Sequence, residues 1–242
     1  MSRLPLLMRR VLRAARLGVF FGGTSRFRLP QSVRLGSQAV LLNAPPEPHL
    51  AYDFINVLLD DEYGLEQLCG EVASVLDVGA NIGLFSVWAR CNFPRAVIHG
   101  YEPNPRLIEL AGCNLRQVNV RLFGEGVGAE SGFAVMENNV ESRLGQVRFG
   151  AKAGIPITAL GEAIERIGGS VDLLKLDCEG AEWDIFHDKA SFNKVRLIRM
   201  EYHLVNNCSI DDLSRWAKEA GFQIDRLRPN NGFGMAWLSR AL

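Results

Sequence analysis

Short apolar runs of strand length alternate with helical patterns from residue 72 onward. The runs are rich in Val, Ile and Leu, which is typical of buried strands. The predicted strands are 72–78, 96–101, 119–123, 171–176 and 195–200, and the predicted helices are 82–91, 104–117, 159–167, 181–189 and 210–220. Because alternating strands and helices form parallel βαβ units, the pattern predicts an α/β fold with an open, mostly parallel sheet and helices on both of its faces.

Two further segments read as hairpins. Residues 132–149 form a hairpin-like stretch. At the end of the chain, apolar runs at 222–227 and 234–238 flank the turn sequence Pro-Asn-Asn-Gly. Strands joined by so short a turn pair in antiparallel fashion, so the sheet is expected to end in an antiparallel hairpin.

The first 71 residues follow a different pattern. Residues 39–42 are apolar and precede Pro45 and Pro46, which predicts a small strand or hairpin. From residue 51 an amphipathic pattern runs to Leu68 and predicts one or two helices. We therefore divide the chain into a basic arm (1–36), an extension (37–71) and a main domain (72–242).

The basic arm carries leucine, valine and methionine at helical spacing with arginines between them. One hypothesis is a basic amphipathic helix that contacts a membrane surface, and another is an organelle transit peptide. A third is a helix packed on the domain with its arginines in solvent. Arginines at positions 9, 10, 13 and 16 interrupt any apolar stretch and argue against a secretory signal.

Composition places the chain among globular proteins without a membrane span. Apolar residues make up 48% and charged residues 22% of the 242 positions, and no run of 18 apolar residues occurs. The net charge is zero, but the first 46 residues carry +8 and the rest −8. The acidic main body argues against nucleic-acid binding. The five cysteines include no C-x-x-C pair, which indicates a reducing compartment, so we expect a cytoplasmic protein that is at most peripheral to a membrane.

The turn after the first predicted strand is the strongest local signal, in the sequence LDVGANIGLFS. Asp77 precedes a tight turn with Gly79, Ala80, Asn81 and Gly83, where a ligand binds in open α/β sheets. The G-x-N-x-G spacing differs from the dinucleotide fingerprint G-x-G-x-x-G. A carboxylate at this place would repel a pyrophosphate, so the turn favours S-adenosylmethionine over a dinucleotide.

Two acids follow the next two strands. Glu102, in YEPNP, stands at the end of the second strand, where a carboxylate can accept hydrogen bonds from both ribose hydroxyls. Glu125 follows the third strand and is a candidate acceptor for an adenine amino group, although a solvated loop acid explains it equally well.

Acids and a histidine gather at the ends of the last two parallel strands. The segment LLKLDCEGAEWDIF contains Asp177, Glu179 and Glu182, and the following strand ends in MEYH at His203. Because parallel strands end at one edge of a sheet, Asp177 and His203 are expected to emerge together. A carboxylate and an imidazole there could remove a proton from a hydroxyl.

Taken in order, these four segments resemble the FkbM-type methyltransferases, which depend on S-adenosylmethionine. The resemblance covers about residues 52–203, and L-D-x-E-G-A-E is its most specific element. The sequence DDEYGLEQL, residues 60–68, also resembles the family. The arginine-rich arm lies outside the resemblance, and Cys178 stands where valine or isoleucine is more usual.

The resemblance implies a Rossmann-like, seven-stranded class I methyltransferase fold and methyl transfer to an oxygen of a sugar, lipid or other small metabolite. It implies that Asp77, Gly79, Asn81, Gly83 and Glu102 hold the cofactor. Asp177, Glu179, Glu182 and His203 would line the reacting end, with His203 as base and Asp177 orienting it or sharing the role. Residues 138–150 fall where the family varies and are expected to shape substrate choice.

Two alternatives remain open from the sequence. One is a nicotinamide-dependent oxidoreductase on a similar sheet. The other is a non-catalytic scaffold that binds a membrane or a partner through its basic arm. The spacing of the acids and cysteines does not call for a metal site.

Overall fold

The structure, a computed structural model, describes residues 5–137, 146–149 and 154–240. Its strands are β1 (Ser32–Leu35), β2 (Gln38–Leu41), β3 (Ser74–Val78), β4 (Val97–Tyr101), β5 (Arg121–Phe123), β6 (Gly126–Gly128), β7 (Gly132–Glu137), β8 (Gln146–Phe149), β9 (Ile155–Ala159), β10 (Val171–Leu176), β11 (Val195–His203), β12 (Phe222–Pro229) and β13 (Phe233–Arg240). Its α-helices are α1 (Leu6–Arg16), α2 (Leu50–Phe54), α3 (Leu84–Asn92), α4 (Pro105–Arg116), α5 (Leu160–Ile167), α6 (Glu182–Ile185), α7 (Lys189–Phe192) and α8 (Ile210–Glu219).

A seven-stranded sheet in the order β12-β13-β11-β10-β3-β4-β5 forms the centre of the molecule. The five strands from β11 to β5 pair in parallel, as the alternating pattern predicts. Strand β13 lies antiparallel between β11 and β12, so the chain ends in the expected hairpin. The fold is the predicted Rossmann-like, seven-stranded α/β architecture with a closing antiparallel hairpin.

The two faces of the sheet bury two separate cores. In the register of β3, β10 and β11, Leu173 lies beside Val75, whereas the next residue, Leu174, lies beside Leu76. Successive side chains of a strand point to opposite faces. Leu173 and Val75 accordingly belong to one core, and Leu174 and Leu76 belong to the other.

Strands β6 to β9 form a second, four-stranded sheet in the order β6-β9-β7-β8, which the sequence pattern does not predict. The expected hairpin is present within it, because β7 and β8 pair in antiparallel fashion. The stretch 138–150, expected to shape substrate choice, lies outside the described residues except for 146–149.

The helix predicted over 181–189 is interrupted. Helix α6 ends at Ile185, and α7 begins anew after Asp188. The Asp188 side chain accepts a hydrogen bond from the backbone N–H of Ser191 and so caps the second helix. An aspartate in this capping geometry starts a helix rather than continuing one.

The N-terminal residues pack onto the sheet through the first of the two cores. That core contains Leu17, Phe21 and Phe27 from the arm and Phe54 from α2, all at most 7% exposed. Strands β1 and β2 form the hairpin predicted near residue 40. A boundary drawn at residue 36 falls in the turn of that hairpin. No helix within the described ranges is long and apolar enough to cross a bilayer.

Helix α1 turns two of its four arginines inward, against the hypothesis of a solvated arginine face. Arg10 pairs with Asp60 at 2.6 Å, and Arg13 pairs with Glu66 at 2.7 Å. Arg13, 5% exposed, also donates to the carbonyl oxygen of Leu59. The helix is therefore fixed to the 59–66 segment by charge, and its leucines face out.

Candidate active site

A cavity of about 500 Å³ opens at the carboxyl ends of β3, β4, β10 and β11. One part of its wall comes from the strand ends and the turn after β3, and another comes from residues 50–63 of the N-terminal extension. The residues that carry charge or hydrogen-bonding groups toward it are Asp53, Asn56, Glu62, Tyr63, Asn81, Glu102, Asn104, Lys175, Asp177, Glu179, Glu201 and His203. Ligands bind at this edge of open α/β sheets.

The turn after β3 requires its small residues. Gly79 has φ +78°, and a Cβ atom there would overlap the carbonyl oxygen of Asp177. Gly83 has φ +90° and packs closely against Leu115, while Asn81 adopts φ +52°. Left-handed backbone of this kind favours glycine and asparagine. Gly79, Ala80 and Asn81 line the cavity, whereas Gly83 supports the turn from behind.

Glu102 is buried at the end of β4 and faces this turn. Its Oε2 atom accepts a hydrogen bond of 2.7 Å from the backbone N–H of Asn81, and its Oε1 atom accepts one of 2.8 Å from that of Asn104. Burial raises the pKa of Glu102 to about 7. The carboxylate thus clamps the turn and presents its remaining lone pairs to the cavity.

Besides Gly83, two of the predicted cofactor residues lie outside the cavity wall. Asp77 is fully buried, accepts a 2.6 Å hydrogen bond from the Ser86 hydroxyl and lies 3.3 Å from the Lys175 ammonium. Glu125 contacts the Thr158 hydroxyl and pairs with Arg166 at 2.7 Å. The structure therefore gives Asp77 a supporting position behind the turn and Glu125 a partner in a neighbouring ion pair.

Lys175 is a buried cation that the sequence analysis does not single out. Its Nζ atom donates to the carbonyl oxygen of Gly79 at 2.5 Å and lies 3.5 Å from Asp177 Oδ2. Burial opposes its charge, but the carboxylates of Asp177 and Asp77 outweigh burial and raise the pKa of Lys175. A lysine between the buried leucines of a strand is the signal that could have identified it.

His203 lies among carboxylates at the end of β11. Its Nδ1 atom is 3.4 Å from Glu182, and its Nε2 atom is 3.4 Å from Glu179 and 3.6 Å from Glu201. Burial lowers the pKa of His203, but the Glu182 and Glu179 carboxylates more than compensate and raise it to about 9. The imidazole is therefore protonated at neutral pH in this state of the protein.

Glu182 orients His203 from below the cavity. It is fully buried, and its carboxylate accepts hydrogen bonds from the backbone N–H groups of Cys178 at 2.8 Å and Gly180 at 3.0 Å. Asp177, expected to orient the histidine, contacts Tyr63 and Lys175 instead. The orienting contact therefore comes from Glu182.

The extension supplies two residues that the sequence analysis passes over. Tyr63, 2% exposed, donates a 3.0 Å hydrogen bond to Asp177 Oδ2. Glu62 faces the cavity near Glu201, and burial together with the neighbouring carboxylates raises the pKa of each to about 8. Glu62 and Tyr63 lie in the sequence DDEYGLEQL, and the resemblance of that sequence to the family is the signal that indicated this segment.

Within the described parts of the chain, no three His, Cys, Asp or Glu side chains are arranged to hold a metal ion. The residues present do fit S-adenosylmethionine. One end of the cavity has apolar walls from Tyr101, Pro103, Val127 and Ile157 beside Glu102, which suits a base and its ribose. The other end is acidic, which suits an amino group and a sulfonium. The volume lies within the range of roughly 300–1,000 Å³ usual for small-ligand sites.

Several known proteins are similar to this chain. The antimetabolite synthetase AmbE of Pseudomonas aeruginosa is 26% identical over 225 residues, which cover 72% of this chain and 10% of the relative. The chain thus spans a small part of that protein.

One solved structure with a similar arrangement is a precorrin-6y C5,15-methyltransferase from Geobacter metallireducens, with 13% identity and a TM-score of 0.46. The superposition covers 74% of this chain and 86% of that chain. Another is a putative RNA methyltransferase from Pyrococcus horikoshii, with 13% identity and a TM-score of 0.49, covering 97% of this chain and all of that one.

The match that identifies the family runs through the site itself. It begins at Asp77, before the glycine turn, and ends within β12, so it contains Glu102, Asp177 and His203. The matching family model is that of the methyltransferase FkbM domain, and it covers residues 77–224, more than half of the chain. The chain belongs to the FkbM methyltransferase domain family.

Proposed function

We propose that the protein transfers a methyl group from S-adenosylmethionine to a hydroxyl oxygen of a sugar, a lipid or another small metabolite. One observation carries the proposal. The clamped turn at Glu102 and the carboxylate–imidazole cluster at His203 open into the same cavity, at the ends of strands in one sheet. This shared cavity supports a reaction in which a methyl donor and a group that takes a proton lie side by side.

The turn after β3 would hold the cofactor. Gly79, Ala80 and Asn81 bring backbone groups to the cavity wall, and Glu102 offers acceptor lone pairs to ribose hydroxyls. When bound, S-adenosylmethionine supplies a methyl group whose bond to the sulfonium sulfur breaks as the sulfur keeps the electron pair.

The reacting end would bind the acceptor and take its proton. We assign the neutral form of His203 as the base that receives the hydroxyl proton as the new bond between oxygen and the methyl carbon forms, so the imidazole first has to lose its own proton. Glu182 holds the imidazole from one side, and Glu179 and Glu201 lie on the other. Asp177, held by Tyr63 and Lys175, would position the acceptor.

The charge of the cavity bears on the acceptor class. Asp53, Glu62, Asp177, Glu179 and Glu201 all face it. Lys175 and His203 are cations of the same wall, and the raised pKa of Glu62 and Glu201 keeps those two mostly neutral at pH 7, so the lining offers no excess of positive charge for the phosphates of a nucleic acid, which supports a small molecule. The relative with 26% identity is by its name an antimetabolite synthetase, which also supports a small metabolite.

The first experiment is titration calorimetry with S-adenosylhomocysteine on the wild type and on Glu102→Gln. We expect the substitution to weaken binding at least tenfold, about 1.4 kcal/mol. Glu109→Gln, an exposed change on α4, is the matched control and should bind as the wild type does. Failure of the folded wild type to bind S-adenosylhomocysteine, with binding of NADH in its place, would overturn the proposal in favour of an oxidoreductase.

The second experiment tests the acceptor atom. The protein is incubated with S-adenosylmethionine and a panel of sugars, hydroxylated lipids and small alcohols, and products with one added methyl group are located by mass spectrometry. We expect methylation on oxygen that is lost in His203→Gln. Methylation on nitrogen or carbon would contradict the assignment.

A further inference from the structure

We propose that the outer face of helix α1 docks on the surface of a bilayer that contains anionic lipid. By "outer face" we mean Leu7, Met8, Val11, Leu12 and Ala15. The proposal concerns a different surface from the methyl-transfer cavity and holds or fails independently of it.

The orientation of α1 exposes this face. Arg10 and Arg13 point to the 60–66 segment and pair with its acids, and Ala14 is buried beneath the helix. In an amphipathic helix the opposite side then faces solvent. Leu7 is 61% exposed, and Val11 is 43% exposed.

The exposed apolar surface is concentrated here. Among the described residues, half of the exposed large hydrophobic side chains lie between residues 6 and 20: Leu6, Leu7, Met8, Val11, Leu12 and Phe20. Phe20 is 88% exposed, the largest exposed fraction among them. Contiguous apolar patches of this kind on a folded protein mark a surface that binds something.

The charge around the outer face indicates which occupant fits. Arg9 and Arg16 fall along one edge of the face, and Arg16 remains 52% exposed although it pairs with Glu66. Arg26, Arg28 and Arg34, further along the arm, are also exposed. No acid precedes Glu47. Apolar side chains bordered by arginines are complementary to an interface of acyl chains and anionic headgroups.

A second copy of the chain fits this face less well. A two-fold contact would set the same surface against itself and bring the arginines of both arms together. The helix has 11 residues, so the face is only about 16 Å long. A stable dimer buries roughly 1,200–2,000 Å² in total, which a single short helix does not provide.

The helix is also held in place before it meets a membrane. Its inner face is fixed by Arg10 and Arg13, and Leu17 and Phe21 anchor the chain that follows. An interfacial helix that is already ordered does not have to fold as it binds, which favours binding.

The test uses the full chain and sedimentation with vesicles of phosphatidylcholine, with and without phosphatidylglycerol. We expect binding to the anionic vesicles that falls about tenfold or more in the double variant Leu7→Glu/Val11→Glu, because two apolar side chains lose their burial. The matched control is Leu41→Glu/Val97→Glu, which alters two side chains of 58% and 51% exposure outside the arm and should leave binding intact.

The readouts separate this proposal from its alternatives. Circular dichroism and the melting temperature check that each variant is folded, and S-adenosylhomocysteine affinity should be the same in all of them. Equal vesicle binding by the wild type and the Leu7→Glu/Val11→Glu variant would overturn the proposal. An absence of vesicle binding by the wild type would overturn it as well. If ultracentrifugation then showed a dimer that the Leu7→Glu/Val11→Glu variant abolishes, the outer face would be a contact between two copies of the chain.

Discussion

The Tyr63 hydroxyl donates a hydrogen bond of 3.0 Å to Asp177 Oδ2 and so ties the N-terminal extension to the carboxyl end of β10. The tyrosine ring is held by an edge contact with Phe85, with ring centroids 5.0 Å apart. Because Asp177 also lies 3.5 Å from Lys175, two residues, one from the extension and one from β10, fix one carboxylate of the cavity. The extension is therefore a structural part of the candidate active site.

Replacing Tyr63 by Phe should keep the ring packing and remove this hydrogen bond. We expect a loss of about 1.5–3 kcal/mol in the free energy of unfolding, the usual range for a hydrogen bond to a charged group. Turnover should fall more than S-adenosylhomocysteine affinity, because Asp177 lies at the proposed acceptor end. Urea unfolding and steady-state kinetics measure the two effects. Tyr52→Phe, at a half-exposed ring, should change neither.

The pKa of His203 predicts how the rate depends on pH. If His203 is the base, only its neutral form can accept a proton, so kcat/KM should rise with pH and level off near pH 9. His203→Gln should lower turnover by roughly 10²–10⁴-fold, whereas His187→Gln, at an exposed position, should not. A rate already level at pH 7 would assign proton removal to a carboxylate instead.

The stability of the ligand-free protein should decrease as pH rises from about 5 to 8. Burial holds the pKa of Glu62 and Glu201 at about 8 and that of Glu102 at about 7, all above their ordinary value of 4.5. The folded chain therefore keeps protons that the unfolded chain releases in this range. Each retained proton contributes about 1.4 kcal/mol per pH unit to the slope.

Unfolding by urea at a series of pH values measures this slope. Glu62→Gln should reduce it and raise stability at pH 8, because a neutral amide replaces a carboxylate that burial disfavours. Glu165→Gln alters a carboxylate that is 62% exposed and should leave the slope unchanged. A stability that increases from pH 5 to 8 would show that these carboxylates are not buried as described.

The inner face of α1 predicts a contrast between two arginines. Arg13 is 5% exposed, pairs with Glu66 and donates to the Leu59 carbonyl, so Arg13→Met leaves Glu66 with only the exposed Arg16 and leaves that carbonyl without this donor, which should cost about 3 kcal/mol. Arg16 is 52% exposed, and Arg16→Met should cost less than about 1 kcal/mol. Thermal or urea unfolding compares them. Equal and small losses would contradict the inward packing of the helix.

Periodicity and turn chemistry were sufficient to predict much of the fold. The parallel strands and the closing hairpin follow from apolar runs and from the Asn-Gly turn. The small sheet of β6, β9, β7 and β8 was not predicted, because its strands pair across a gap in sequence and are short. The break before α7 depends on a single cap by Asp188, which periodicity does not reveal.

The candidate site was likewise predicted in part from the sequence. Glycine turns and strand ends are local features, so Gly79, Glu102, Asp177 and His203 could be placed at one edge from the order of the strands. The contacts that the side chains of the site make could not be predicted from the sequence. Asp77 faces Ser86 and Lys175 behind the turn, and Glu125 faces Arg166. Which way a carboxylate points depends on the cations that the fold brings near it.

The sequence by itself determined the order of strands and helices, the ligand-binding edge and the basic charge of the arm, because these follow from local pattern and composition. Only the tertiary structure decided that Glu62 and Tyr63 join the cavity and that α1 turns Arg10 and Arg13 inward. Both depend on contacts between residues about 50 or more positions apart, such as Arg13 with Glu66 and Tyr63 with Asp177. The acids of the 60–66 segment pair with the arginines, and this leaves the leucines of the helix in solvent.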